Sequence, residues 1–593
     1  MMDYIENIVK GKDYFSKGDY SSALECFKKA VQSNPNSKEA HLLKAMACQQ
    51  WDCSHIGKQI TKDVLSPLYS ILALDPEDSI VHDYVELVSN GEMLSAKIEL
   101  FPICYSTSTK DHKSKHHTYL VGENEFMAFF IDDYTMKFEI IDDDSVKIQF
   151  CEYDKNLKGY YVEDGEIGED KTVIIPPVVK FNSKQYTVKE IGEKSFYGND
   201  GNGYPLYLTN VIIPNTITKI GEDAFHYCTF LKSIRIPKSI AEISEGAFSY
   251  CMGLEKIEVE QGNKTYDSRE NCNAIVETKN NRIIVGCKKT KIPTTIRTIG
   301  CAAFHGQRSM HSIEIPNSIT EIEHAAFIDS GLEKIILPDS IVHIGKLAFS
   351  SCELQSVILG KSLKVIEDLA FDNNSNLKTV VIPKSVKKIG LNVFRSLYGK
   401  GVQSISVHKD NQCYDSRDNC NAIIETNTNT LVIGCGRTSF PKTIKHIGRS
   451  AFYGCCCIND VSLPDSIETI GDDAFCRCEN LYKVNLPESI TRIGLGAFSG
   501  CEKLTEIIFP KNVSYIGEYV LNGCEKLKSI TSLNPRPPYL QTDVLFGTYD
   551  NDRKLSTIDL KVPFLFIDNY KNAPGWKLFK NIYAIEDLEE TLE

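Results

Sequence analysis

Two stretches of the chain hold Asp, Ser, Arg, Asn and Cys at the same spacing, residue types that could supply a nucleophile and polar helpers. YDSRENCNAIVETKNNRIIVGC runs from Tyr266 to Cys287, and YDSRDNCNAIIETNTNTLVIGC from Tyr414 to Cys435. Fourteen of the 22 positions are identical. Nucleophilic catalysis needs a thiol or hydroxyl beside a base. Neither copy contains a histidine or an internal nucleophile–base pairing. An enzyme rarely needs two identical catalytic segments, whereas a repetitive scaffold duplicates an insertion freely. Both copies therefore read as structural β-hairpins, with β-rich runs around KNN in one and NTN in the other. With turns at Lys279–Asn280 and Asn427–Thr428, Cys272 faces Cys287 and Cys420 faces Cys435. Opposed Cα atoms about 4.5–5.5 Å apart are compatible with a disulfide. A reduced, packed pair is the expectation where no export signal is seen.

The elements that position these segments show a 23-residue period. LKSIRIPKSIAEISEGAFSYC (Leu231–Cys251) and LYKVNLPESITRIGLGAFSGC (Leu481–Cys501) share L-x-x-I-x-I-P-x-S-I-x-x-I-G-x-x-A-F-x-x-C. The phenylalanine recurs at residues 196, 225, 248, 304, 327, 349, 371, 394, 452, 475 and 498, with Leu521 in the same slot, giving twelve units. The two long steps each hold one copy of the duplicated segment. One unit has too few apolar residues for a core, so turns must stack. L-x-x-I-x-I ends with strand alternation, and the proline that follows, as at Pro237 and Pro316, ends the strand. Ser244, Glu323 and Glu367 replace the glycine before xxAF, so a left-handed backbone is not expected there.

Over roughly residues 170–535 these units resemble the BspA-like leucine-rich repeats, with Ser usually in the Asn slot, as at Ser239 and Ser489. The resemblance, to a family found on bacterial surfaces and in some protists, implies a curved parallel-strand solenoid used for binding, in some surface members for adhesion to host proteins, and it does not imply catalysis. Residues 1–35 resemble a tetratricopeptide helix pair through Gly11, Tyr14, Gly18, Tyr20, Ala23, Phe27, Ala30 and Pro35. A second, degenerate pair and a capping helix follow.

Cysteine holds seven of twelve places three residues after the phenylalanine slot: Cys228, Cys251, Cys352, Cys455, Cys478, Cys501 and Cys524. Asn, Gln or Ser fills four others, an exchange that suits a small buried hydrogen-bonding group near backbone amides better than a metal or catalytic thiol. Cys455–Cys457 and Cys476–Cys478 also match zinc spacing poorly. No metal, cofactor or catalytic residue is expected.

The fold class expected is a multidomain α+β chain: a helical tetratricopeptide-like module (1–100), a linker (101–125), a β-strand cap (126–190), a leucine-rich solenoid of about twelve turns (191–533) with insertions near 260–288 and 408–436, and a cap with an acidic tail (534–593). His112, His116 and His117 fall in the linker and lack a partner at metal spacing. At the far end, Trp576 and Phe579 are expected to cover the final turn. A net charge of −13 argues against a nucleic-acid groove or anionic membrane surface. No signal peptide or run of about 18 apolar residues is visible. These features point to a monomeric, non-enzymatic protein-binding scaffold in the cytoplasm, or to a surface adhesin if an export signal was removed.

The expected contact surface is a column of side chains pointing out from successive strands. Most are polar or charged, but Ile336, Ile358 and Val381 are consecutive and apolar, flanked by Lys334, Ser356 and Thr379. Clustered exposed apolar groups mark interfaces, although branched residues also suit exposed strands.

Overall fold

The computed structural model describes residues 7, 10, 20–33, 119–122, 125–129, 134–153, 172–181, 184–198, 208–396, 401–541, 545–546 and 551–585. Of the expected tetratricopeptide-like module it describes one helix, Tyr20–Ser33, with Phe27 and Ala30 buried. The partner helix, the second pair, the capping helix and the three linker histidines lie outside the described residues. Where the linker was expected to end, Tyr119–Gly122 instead pairs antiparallel with Glu125–Phe129. Two compact units divide the chain at Thr278 and Lys279.

In the first unit, Glu125–Phe129, Tyr134–Asp142 and Ser145–Tyr153 form an antiparallel meander. Its last strand then pairs parallel with Lys184–Ile191, which continues to Lys219–Ile220 and Glu242–Ile243. A second parallel sheet joins Thr172–Ile174, Asn210–Ile212, Ser233–Ile236 and Lys256–Val259. Phe196, Phe225 and Phe248, on the turns that connect the strands, stack with centroids 5.0 and 5.1 Å apart.

The second unit repeats one path. A strand such as Lys334–Ile336 alternates exposed, buried, exposed, so its middle isoleucine enters the core. Proline then turns the corner, its carbonyl accepting the amide three residues on, as Pro338 does from Ile341. A two-residue strand follows: Thr298–Ile299, Glu321–Ile322, His343–Ile344, Val365–Ile366 and Lys388–Ile389 form one parallel ladder. The last side is built of turns. There the Phe304 amide donates to Ala326 O, Phe327 to Ala348 O and Phe349 to Ala370 O, each at 2.8 Å. The rings stack at 4.9, 5.1 and 5.2 Å from Phe304 to Phe371.

Where glycine fills the recurrent slot, the backbone of the preceding turn comes close, although Ser244, Glu323 and Glu367 occupy the same slot in other turns. A Cβ on Gly494 would lie 2.5 Å from the Asp472 amide nitrogen of the preceding turn. The left-handed residue comes two places later, as at Leu347 (φ 59°) and Asp473 (φ 53°).

Among the described residues there are about 16 turns rather than about twelve. The additional strands lack the A-F-x-x-C signature and were invisible to its count. Thr430–Ile433, inside the insertion, pairs parallel with His446–Ile447, and Tyr539–Leu540 extends the short-strand ladder beyond Tyr515–Ile516. Asp559–Pro563 and Asn581–Ile585 extend the other sheet. Below them Trp576 is fully buried, with Nε1 donating to Pro538 O at 2.7 Å, and Phe579 is 4% exposed.

Candidate functional site

The polar side chains of the duplicated segment are spent on backbone. In the first copy the Ile243 amide donates to the Tyr266 hydroxyl at 2.9 Å. The Ile257 amide donates to Asn273 Oδ1 at 2.7 Å, while Asn273 Nδ2 donates to Glu255 O at 2.7 Å. Ser268 accepts from the Val259 amide and donates to Ala274 O. The second copy repeats these bonds: Ile389 to Tyr414, Ile405 to Asn421, Asn421 to Gln403 O and Val407 to Ser416. Asp267 and Asp415 each pair with an arginine two residues on, at 2.6 Å. Asn273 (φ 59°) and Asn421 (φ 58°) take the left-handed backbone that asparagine tolerates. These groups stand in for the next strand at a sheet edge, which would otherwise carry unsatisfied donors and acceptors.

In the second copy Glu425 faces Thr430 and Ile424 faces Leu431, consistent with a turn at Asn427–Thr428, but a bulge shifts Ile423 to Ile433. The expected opposition of Cys420 and Cys435 is therefore lost. Cys420 points its thiol at Ala422 O at 3.8 Å, and Cys435 at Asn421 O at 3.5 Å. Cys272, Cys287, Cys420 and Cys435 are all free thiols. Burial pushes Cys272 and Cys420 up to about 11. The glycine that closes each copy occupies a phenylalanine slot. Gly434 donates its amide to Ala451 O, and a Cβ there would sit 2.0 Å from Cε1 of Phe452. Gly286 meets Phe304 in the same way at 2.2 Å.

The cysteine ladder has a defined acceptor. Cys228 donates to Phe196 O (2.9 Å), Cys251 to Phe225 O (3.2 Å) and Cys352 to Phe327 O (3.1 Å). Cys478, Cys501 and Cys524 do the same to Phe452, Phe475 and Phe498 at 3.2–3.3 Å. Asn374 fills the slot with an amide, donating to Phe349 O at 2.8 Å. The partner is thus a carbonyl of the preceding turn rather than a nearby amide. Burial holds Cys352 and Cys524 up at about 12 and raises Cys478 and Cys501 well above an ordinary thiol. These thiols stay protonated, and the thiolate is the nucleophile and metal ligand. Cys455 is half-buried, because the turn before it is the insertion. Among the described residues no group of three or more His, Cys, Asp or Glu is placed to hold a metal ion. Beside Cys455, a cavity of about 50 Å³ is lined by Phe394, Arg395, Gly434 and Phe452, room for a water molecule or two.

Ile336, Ile358 and Val381 are 68, 59 and 53% exposed. Ile336 and Ile358 are paired in register, as are Lys334 and Ser356. Val381 lies on the next strand and pairs with Ser406, where the apolar run ends. Lys334, Ser356 and Thr379 are exposed on the same strands. Ile508, 46% exposed, sits in a later turn beside Thr531. The strand alternation legible in the sequence also places the middle residues Ile335, Val357 and Val380 in the core.

The model of the BspA type leucine rich repeat region matches residues 189–281, 284–399 and 434–536, in six copies. Three solved structures are similar. A leucine rich cell surface protein from Faecalibacterium prausnitzii A2-165 shares 22% identity, covering 80% of this chain and 96% of its own, with a TM-score of 0.39. The pneumococcal vaccine antigen PcpA shares 22%, covering 77% and 98%, with a TM-score of 0.38. A leucine-rich repeat protein from Bacteroides ovatus shares 20%, covering 77% and 100%, with a TM-score of 0.33. No curated protein matches. The repeat model spans more than half of the residues, and the chain belongs to the BspA-type leucine-rich repeat family.

Proposed function

We propose that this chain is a non-enzymatic protein-binding scaffold whose contact surface is centred on Ile336, Ile358 and Val381. The observation that carries the reading is the exposure of three branched apolar side chains on consecutive strands. Burying them in a partner contributes roughly 3–6 kcal/mol before association costs. Two further features support a scaffold. The side chains of the duplicated segment that resemble catalytic groups are engaged with backbone, and the repeat thiols are protonated donors.

Replacing Ile336 and Ile358 with Ser and Val381 with Thr tests the reading. Partner capture from native lysate should fall at least tenfold while unfolding stays cooperative. Unchanged capture eliminates this surface. The same surface serves an intracellular adaptor or a surface adhesin, and cell fractionation separates these two. No helix among the described residues is long and apolar enough to cross a membrane.

A further inference from the structure

We propose that the strip receives an acidic amphipathic helix of a protein partner, an inference that rests on the strip being the contact surface. Two observations carry it. The first is spacing. Hydrogen-bonded strands lie about 4.8 Å apart; Ile336 and Ile358 sit on such a pair, and Val381 is on the following strand, which packs against Ser356–Ile358 without a ladder between them, so the three outward side chains span about 10 Å. Apolar residues at i, i+4 and i+7 of a helix also span about 10 Å. An extended partner repeats every second residue and spans about 13 Å over three, so it falls out of step. The second is charge. The whole chain carries −13, yet residues 331–390 hold eight lysines against six carboxylates.

Those carboxylates are largely engaged already. Asp339 pairs with Lys361 and Asp372 with Arg395, Glu333 meets the His311 ring, which is charged only when protonated, and Glu353 accepts from Asn376 Nδ2. Glu367 meets both His343 and Lys388, and Asp368 accepts the Leu391 amide. Lys334, Lys364, Lys378, Lys384 and Lys387 are exposed and form no ion pair among the described residues. Lys334 and Lys378 flank the strip where its strands begin. Lys384 follows Val381 just past the corner, whereas Lys364 and Lys387 lie side by side farther on, where the short strands begin. An apolar row bordered by unneutralised ammonium groups fits a helix with an apolar stripe and carboxylates on its flanks.

The test uses the full chain and a fluorescein-labelled 18-residue helical peptide with leucines at i, i+4, i+7 and i+11 and glutamates beside them. A second peptide carries lysines in place of the glutamates. By fluorescence anisotropy at low salt, the glutamate peptide should bind at least tenfold more tightly. Lys378→Glu with Lys384→Glu should weaken it at least tenfold, and so should the strip triple variant. Equal affinity for the two peptides, with loss only in the strip variant, overturns the acidic partner and keeps the strip. Binding that survives the strip variant overturns the strip reading itself. Heparin binding without peptide binding overturns the proposal in favour of a non-protein polyanion.

Discussion

At three positions of one ladder, a thiol, an amide and a second thiol meet equivalent carbonyls: Cys352 at Phe327, Asn374 at Phe349, Cys478 at Phe452. Cys478→Ala should leave the Phe452 carbonyl without that donor and cost about 1–3 kcal/mol. Cys478→Asn should keep most of the stability, because Asn374 shows that the slot accepts an amide. Urea unfolding of the two variants checks this, and equal losses would show that volume rather than the donor matters. His226 offers a pH test in the first unit. Its ring stacks on Tyr197 at 5.2 Å, and burial lowers its pKa despite Asp223 at 3.0 Å. A lowered folded pKa stabilises the neutral ring. That contribution is complete above the unfolded value of about 6.5 and is lost as pH falls through it toward the folded value. Melting of the wild type should therefore fall between pH 7 and pH 5, and His226→Gln should flatten the slope. The exchange of Cys for Asn was legible in sequence. Its acceptor was not, because that carbonyl comes from a residue about 25 positions away.

The insertion behaves as part of the ladder rather than as an excursion from it. Its first half terminates one edge through Tyr414, Asn421 and Ser416, and its last strand joins the following turn in parallel. Gly434→Ala forces a methyl onto the Phe452 ring and should cost about 1–3 kcal/mol by overpacking. Phe452→Leu, smaller and more flexible, should recover part of that loss, and a double-mutant cycle on denaturant midpoints measures the coupling. Additive effects would show that the two groups do not meet. Alkylation in denaturant without reductant should label Cys420 and Cys435 fully. Protected thiols there would contradict the free state seen in the fold. The hairpin was legible because NAIIET and LVIGC are β-rich runs on either side of NTN. The bulge at Ile423 was not, since a single skipped partner leaves no trace in composition or spacing.

Across the molecule, energy is held between neighbouring turns, so damage should stay local. Phe475 is fully buried, between Phe452 at 5.0 Å and Phe498 at 5.5 Å. Phe475→Ala should cost about 3–5 kcal/mol. Hydrogen exchange should rise in peptides from roughly 440 to 520 and remain unchanged from 210 to 260, whereas uniform loss of protection would mean one global cooperative unit. The solenoid architecture was plain from the recurring phenylalanine. The true number of turns was not, because end turns and insertion turns use other residues for the same backbone ladder. The junction at 414–435 carries a further consequence for descent. Within 22 residues it both ends one run of turns and primes the next, so turns on either side can be duplicated or deleted without rewriting their neighbours' pairing. A turn gained or lost on either side of 414–435 should therefore leave the fold of its neighbours intact.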